Sequence, residues 1–426
     1  MNPGASLDDV LHRQHLLSPW MGWRLRALVL STLLGCALVF VLAHWLTQQP
    51  RLPVKLRASA DGLVKLDAGT DPAWQSLDGQ VVARLRVEPP ASGNPPAWVD
   101  VPLELVLLQP SGRWITDPKL RDRDLALHQG MAQLHSDWRL SGASSLRGEL
   151  VLRGGTTHAL ILQPQGWGGI SPLFWILALL ALVAHGVGAV VLLANPQWRN
   201  LAYWALAMSQ SGQLLLMAVE AGLGLFTPAW LFVFETHARI ALDLVCCAAM
   251  VQVAVLHPKT LAGGTGWAMA AWLAVAALSW ALGDLATAAQ WWALQGSCMG
   301  LIGLAVVLMS IAYRRDPHPL ILQVRRFVVI ALLTWGLMSL AIWGGVSRPD
   351  MQLHLATYGV MTWHVFITTL IVLSPYVART RPVLMEFSLL AASSTVAAAL
   401  DLLFVAVFSL GQTTSMTLAL FFAFGA

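Results

Sequence analysis

Residues 229–256 read AWLFVFETHARIALDLVCCAAMVQVAVL. Only Glu235, Arg239 and Asp243 are formally charged in this stretch, and they are spaced by four. On a helix that spacing puts all three on one face. A helix rises 1.5 Å per residue, so Arg239 lies about 15 Å below the start of the run. The run exceeds the roughly 20 apolar residues that span a bilayer. A charge at that depth is costly unless paired, so this face must look into a protein interior. The triad reads either as a self-satisfied ion cluster or as a ligand- or proton-sensing pocket. It carries one negative charge in excess. It therefore needs a proton, a cation or another basic group.

Similar runs follow on both sides. Spans are expected at about 171–194, 200–225, 229–256, 267–283, 290–313, 327–345, 356–376 and 388–409. Another apolar run begins near Met416 and reaches Ala426 after 11 residues, too few to cross as a helix. Further cytoplasmic sequence is expected to follow it. Arg24 and Arg26 precede one more long apolar run, Ala27 to about Leu46. It continues ten residues past Cys36, and the nearest small-x-small site, Ala58-Ser59-Ala60, lies a dozen residues beyond its end. It therefore reads as an uncleaved anchor. Before it, Leu7, Val10, Leu11 and Leu17 fall near helical spacing, with Ser6 as a cap. They predict an interfacial or partner-docking helix.

Composition agrees. The chain of 426 residues is 57% hydrophobic and 11% charged. A soluble domain carries about 25% charged residues, so an ordinary soluble enzyme is excluded. Segment 48–170 holds 13 Lys+Arg and 12 Asp+Glu, 25 of the 48 charged residues. It reads as a β-rich domain large enough for its own core. Strands are expected at Gly62–Leu66, Val81–Val87, Val101–Leu108 and Gly148–Leu152, with a helix from about Asp122 to Leu134. Trp74, Trp98, Trp114 and Trp138 read as core aromatics. Trp167, in Gly166-Trp167-Gly168-Gly169, reads as an interfacial anchor.

These readings give a polytopic α-helical membrane protein with a small β-rich extracytoplasmic domain. Residues 1–25 form a cytoplasmic segment, 26–47 the anchor, 48–170 the outer domain and 171–426 the multi-span body with an incomplete last span. With the N-terminus in the cytoplasm, eleven basic residues fall on that side, Arg199, Arg314, Arg315, Arg325 and Arg326 among them, against only Arg348 in the short outside loops. The net charge of +4 then reports topology, and nucleic acid is not an expected partner.

Candidate binding or switching residues are Glu220, Glu235, Arg239 and Asp243, with His364 and Asp401 in later spans. His185, in the second span, reads as a packing residue. No catalytic motif is found, and no metal site is expected: Cys246 and Cys247 point about 100° apart on a helix. Gly263, Gly264 and Gly266 lack the lysine and strand of a phosphate loop and read as a turn. The arginine-flanked stretch Arg314–Phe327 reads as a topology signal with lipid-phosphate contact, or as a surface for a following domain.

The layout of anchor, outer domain and many-span body resembles the input half of polytopic bacterial sensor histidine kinases. The string Gly166-Trp167-Gly168-Gly169, the run Val190–Pro196, the loop Arg314–Phe327 and the segment Pro382–Leu410 are similar to what such proteins carry. The resemblance implies an inner-membrane location, a membrane or small-molecule signal, a possible homodimer, and ATP as a cofactor only if a kinase domain follows. It carries over no catalytic residue. The bilayer itself is the other expected partner. A secondary transporter or a stand-alone membrane receptor is the alternative, although no internal repeat or matching pair of broken helices supports transport.

Overall fold

The computed structural model describes residues 19–58, 63–69, 72–88, 98–101, 103, 112–141, 145–223, 228–256, 259–283, 285, 287–344, 349–377, 382–406 and 412–425. The expected N-terminal helix, Arg348 and the later part of the strand expected at Val101–Leu108 lie outside these residues.

Helix α1 (Pro19–Thr47) leads into a sheet domain with strands β1 (Pro50–Arg51), β2 (Lys55–Ala58), β3 (Val64–Asp67), β4 (Val82–Val87) and β5 (Val99–Val101). A short 3-10 turn (Gly112–Trp114), helix α2 (Pro118–Ser141), and strands β6 (Leu146–Leu152) and β7 (Thr157–Pro164) complete it. The helical body follows as α3 (Pro172–Ala194), α4 (Trp198–Gly222), α5 (Ala229–Leu256), α6 (Gly264–Ala281), α7 (Ala288–Arg315), α8 (Pro319–Gly344), α9 (Pro349–Val377), α10 (Pro382–Ala406) and α11 (Gln412–Gly425).

Local chemistry sets many of these boundaries. Pro19, Pro118, Pro172, Pro319, Pro349 and Pro382 each open a helix, where a missing N–H costs nothing and φ is already helical. Ser171 caps α3 by accepting from the Leu173 amide at 3.2 Å. Thr287 and Gln290 form a reciprocal capping box at α7. Gly263 stands at φ +71° and forms the turn before α6, whereas Gly264 and Gly266, also read as turn, lie in the first turn of the helix.

The five-stranded sheet runs β1-β7-β6-β4-β5, and each pairing is antiparallel. A β2–β3 hairpin stands beside it. Strand β6 alternates Leu146, Gly148, Leu150 and Leu152 inward. Only glycine fits at 148: a Cβ there would meet Leu162 at 3.0 Å and the Arg86 carbonyl at 3.1 Å. Helix α2 covers this face with Met131, Leu134 and Trp138, at helical spacing. The helix is longer than the sequence suggests and runs through Gly130. Strand β7 was not expected. Its Leu160 and Leu162 point inward, and Ile161 is exposed between them.

Five of the described helices are long and apolar enough to cross a membrane: stretches of α1, α3, α5, α7 and α8. Helix α4 interrupts its apolar pattern with buried Ser209, Gln210, Ser211 and Gln213. Apolar stretches also occur at Gly359–Ser374 in α9 and Ser388–Phe404 in α10. Helix α5 is the hub. It packs against α4, α6, α7, α2 and the 3-10 turn, and 72% of its most apolar window is buried against 6% for α1. The triad-bearing run therefore lies in the body's interior.

Besides the packing of α2 against the end of α5, the sheet domain meets the body at two places. At one, Gln165 donates to the carbonyls of Leu46 at 2.6 Å and Gly222 at 3.0 Å, tying the ends of α1 and α4 to the end of β7. Trp167 packs on Phe40 of α1 with the rings tilted, centroids 5.4 Å apart. At the other, the 3-10 turn is driven into the bundle.

Candidate functional site

Arg239 lies on α5 between two carboxylates from different helices. Its Nε donates to Glu235 Oε1 at 2.5 Å, one helical turn back. Its Nη2 donates to Glu220 Oε2 at 2.6 Å, at the end of α4. Its Nη1 donates to Gln213 Oε1 at 3.0 Å, and Gln213 Nε2 returns a bond to Asp243 Oδ1 at 2.8 Å. Glu235, Arg239 and Asp243 are buried, and Glu220 is half-buried. Four of the expected site residues thus belong to one network.

The basic group that the charge count called for comes from the sheet domain. Arg113, on the 3-10 turn, is fully buried at 0% exposure. Its Nε donates to Asp243 Oδ2 at 3.0 Å, and its Nη2 sits 3.0 Å from the same oxygen. The guanidinium lies over the Trp114 ring, 4.4 Å to the centroid, and 5.8 Å from the Trp335 ring. A desolvated cation over an indole face gains about 2 kcal/mol. Trp291 of α7, itself fully buried, donates from Nε1 to the Arg113 carbonyl at 3.2 Å. Side chain and backbone of Arg113 are therefore both held by the body.

Trp114 follows Arg113 into the bundle. It belongs to the buried cluster of the body rather than to the core of the sheet domain. This corrects the expectation that all four tryptophans of segment 48–170 serve the outer domain. Trp138 is in the domain's core and Trp74 packs against it. Trp114 instead begins a row of rings through the body: Trp335 at 5.7 Å, Trp363 at 5.1 Å from that, and His364 at 4.9 Å from Trp363. Gln295 Oε1 accepts from Trp335 Nε1 at 3.0 Å, and Thr334 Oγ1 accepts from Trp363 Nε1 at 2.8 Å. Buried indole N–H groups need such partners.

His364 is fully buried on α9 and bonds through Nδ1 to Gln210 Oε1 at 3.0 Å. Because an amide oxygen only accepts, Nδ1 carries the proton. Gln210 in turn donates to Cys246 at 3.4 Å. His364 therefore joins the edge of the network through α4. Asp401 does not. It lies on α10, where Ser415 of α11 donates to it at 2.6 Å. His185 pins α3 to α1 through Ser31 at 2.7 Å, a packing role. Cys246 and Cys247 are buried and free.

Glu220, Glu235 and Asp243 face Arg113 and Arg239, so three carboxylates meet two guanidiniums. The cluster keeps one acid in excess even with Arg113 seated. Glu220, at the end of α4 nearest the sheet domain, is its least buried member.

Outside the spans, α2 lies across the end of α5, with the His128 ring stacked on Phe232 at 4.5 Å. His135, seven residues on, instead meets Trp138 at a tilt, ring centroids 5.8 Å apart. The two histidines share no site. Comparison with family models, curated proteins and solved structures finds no match to this chain.

Proposed function

We propose that this chain is the signal-sensing membrane region of a two-component sensor histidine kinase. In this reading the sheet domain lies outside the cytoplasm of a bacterial inner membrane, and the helical body couples it to a cytoplasmic output domain. The carrying observation is the Arg113–Asp243 contact, a fully buried ion pair whose two halves come from the two parts of the molecule. The eleven-to-one bias of basic residues supports the orientation.

The physics makes this contact a two-position element. With the turn seated, Asp243 has its counter-charge and Trp114 fills the top of the bundle. With the turn withdrawn, a buried carboxylate loses its partner, which costs about 3–5 kcal/mol in a dry site. A signal that binds the sheet domain or enters at Glu220 moves the equilibrium only by its differential affinity for the two positions. Complete switching needs about 5.5 kcal/mol, comparable to the cost of uncovering Asp243. The row Trp114–Trp335–Trp363 carries the change to α8 and α9, and α10 and α11 pass it on.

The test uses the native gene product in inside-out vesicles with ATP. It is expected to take up acid-labile phosphate on histidine, at a rate that Arg113→Leu changes. A gene product that takes up none would overturn the reading.

A further inference from the structure

A second site lies at the end of the body opposite the sheet domain. There a small cavity of about 60 Å³, open on one side, lies between α4, α5, α7, α8 and α9. Leu206, Val253, Val324 and Ser374 line it and are only half-buried. Each lies within a few turns of the helix terminus at that end. Met309, Phe327 and Ala331 line it too; they are buried and form its deeper wall. The half-buried lining thus lies toward the end of the bundle and the buried lining deeper. Along α8 its lining, Val324 to Ala331, covers about 10 Å, roughly two thirds of one leaflet of a 30 Å hydrocarbon core.

The mouth is basic. Arg314 and Arg315 end α7, and Arg325 and Arg326 lie in the early turns of α8. Arg325 follows the lining residue Val324. It stacks over Tyr313 at 5.4 Å and reaches Ser310, the neighbour of lining Met309, at 3.5 Å. Arg314, Arg315 and Arg326 are exposed. Inside, the serine hydroxyl is spent on the Ile371 carbonyl at 2.9 Å, so the cavity offers an apolar wall alone. An apolar slot beneath four guanidinium groups matches an amphiphile with part of one tail inside and an anionic head outside.

We propose that this cavity is a binding site for an anionic phospholipid, part of one acyl chain between α8 and α9 and its phosphate on the Arg325–Arg326 end of α8. Lipid charge would then bear on the same two helices that carry the tryptophan row, from the opposite end.

Native mass spectrometry of the purified chain tests this, with phosphatidylglycerol and phosphatidylcholine of equal chain length as probes. The chain should retain phosphatidylglycerol in preference, and the preference should fall about fivefold with each of Arg325→Gln and Arg326→Gln. Ala331→Phe should abolish retention of both lipids. Equal retention of the two lipids, or full retention by a folded Ala331→Phe chain, would overturn the proposal. A photoreactive acyl chain on phosphatidylglycerol tests the unmodified protein as well. Cross-links at Met309, Phe327 or Ala331 support the site, and cross-links confined to outward-facing residues refute it.

Discussion

Replacing Arg113 with leucine removes the cation that the sheet domain lends to the body. Asp243 would keep its bond from Gln213 at 2.8 Å but lose both contacts from the guanidinium. The cluster would then hold three carboxylates against Arg239 alone. Breaking a buried pair from one side costs about 3–5 kcal/mol, and the lost cation–π contact with Trp114 adds up to about 2 kcal/mol. Leucine recovers part of this by filling the space. The double variant Arg113→Leu/Asp243→Leu strands no charge, leaves the Gln213 amide its bond to the Arg239 carbonyl at 3.1 Å, and restores the wild-type charge balance. It should recover most of the loss, since apolar replacement of a buried pair is often neutral or stabilising. Cys246, Cys247 and Cys298 are free and buried in the body. A dye that fluoresces on thiols therefore reports unfolding in detergent, with exposed Cys36 replaced by serine to remove its background. The single variant should melt well below the wild type and the double variant close to it. If both melt equally low, the effect is lost packing, and the coupling argument fails.

Further outcomes follow from the same geometry. Glu220→Gln removes the excess acid, so it should melt at or above the wild type; Arg239→Leu, which leaves carboxylates from two helices unpaired, should melt lowest of the series. Trp291→Phe loses the bond to the Arg113 carbonyl, worth about 0.5–1.5 kcal/mol, and leaves a cavity where the larger, fully buried indole stood, so it should cost more than the bond alone. In the sheet domain, burial and then the neighbouring Arg139 hold the His135 imidazole below its usual range. The unfolded chain therefore binds that proton first, and stability falls as pH drops below about 6.5. The melting temperature of the sheet domain should decline from pH 7.5 to 5.5, and His135→Gln should flatten the decline.

The helices were legible because their signals are local. Each apolar run lies within the residues of the helix that it specifies. The face of Glu235, Arg239 and Asp243 was legible for the same reason, and its charge imbalance stated that a partner was needed. The partner's identity was not legible. Arg113 lies 130 residues away from Asp243, in a segment whose composition reads as that of a soluble domain. Nothing in Gly112-Arg113-Trp114 distinguishes a turn on a domain surface from one driven into a bundle. Trp114 was assigned to the wrong core for that reason. The glutamines of α4 were read as part of an apolar span, because a buried amide matters only once its partners on α5 and α9 are known. Strand β7 escaped because the isoleucine at 161 breaks the expected alternation of apolar and polar residues.

The order of the chain also sets a schedule for its synthesis. The ribosome makes Arg113 before Asp243, and at about 5–20 residues per second the gap between them lasts roughly 6–26 s. During that interval the sheet domain can complete its own core, but its arginine turn has no seat. Arg239 enters with Gln213 and Glu220 already made on the preceding helix. Asp243 instead meets a guanidinium that has waited in water, where a lone positive charge costs little. Docking is thus the step that closes the upper body, and a newly made chain with its turn unseated exposes Trp114, which in the finished protein is buried. That side chain has its burying partners only once α5, α7 and α8 have all been made.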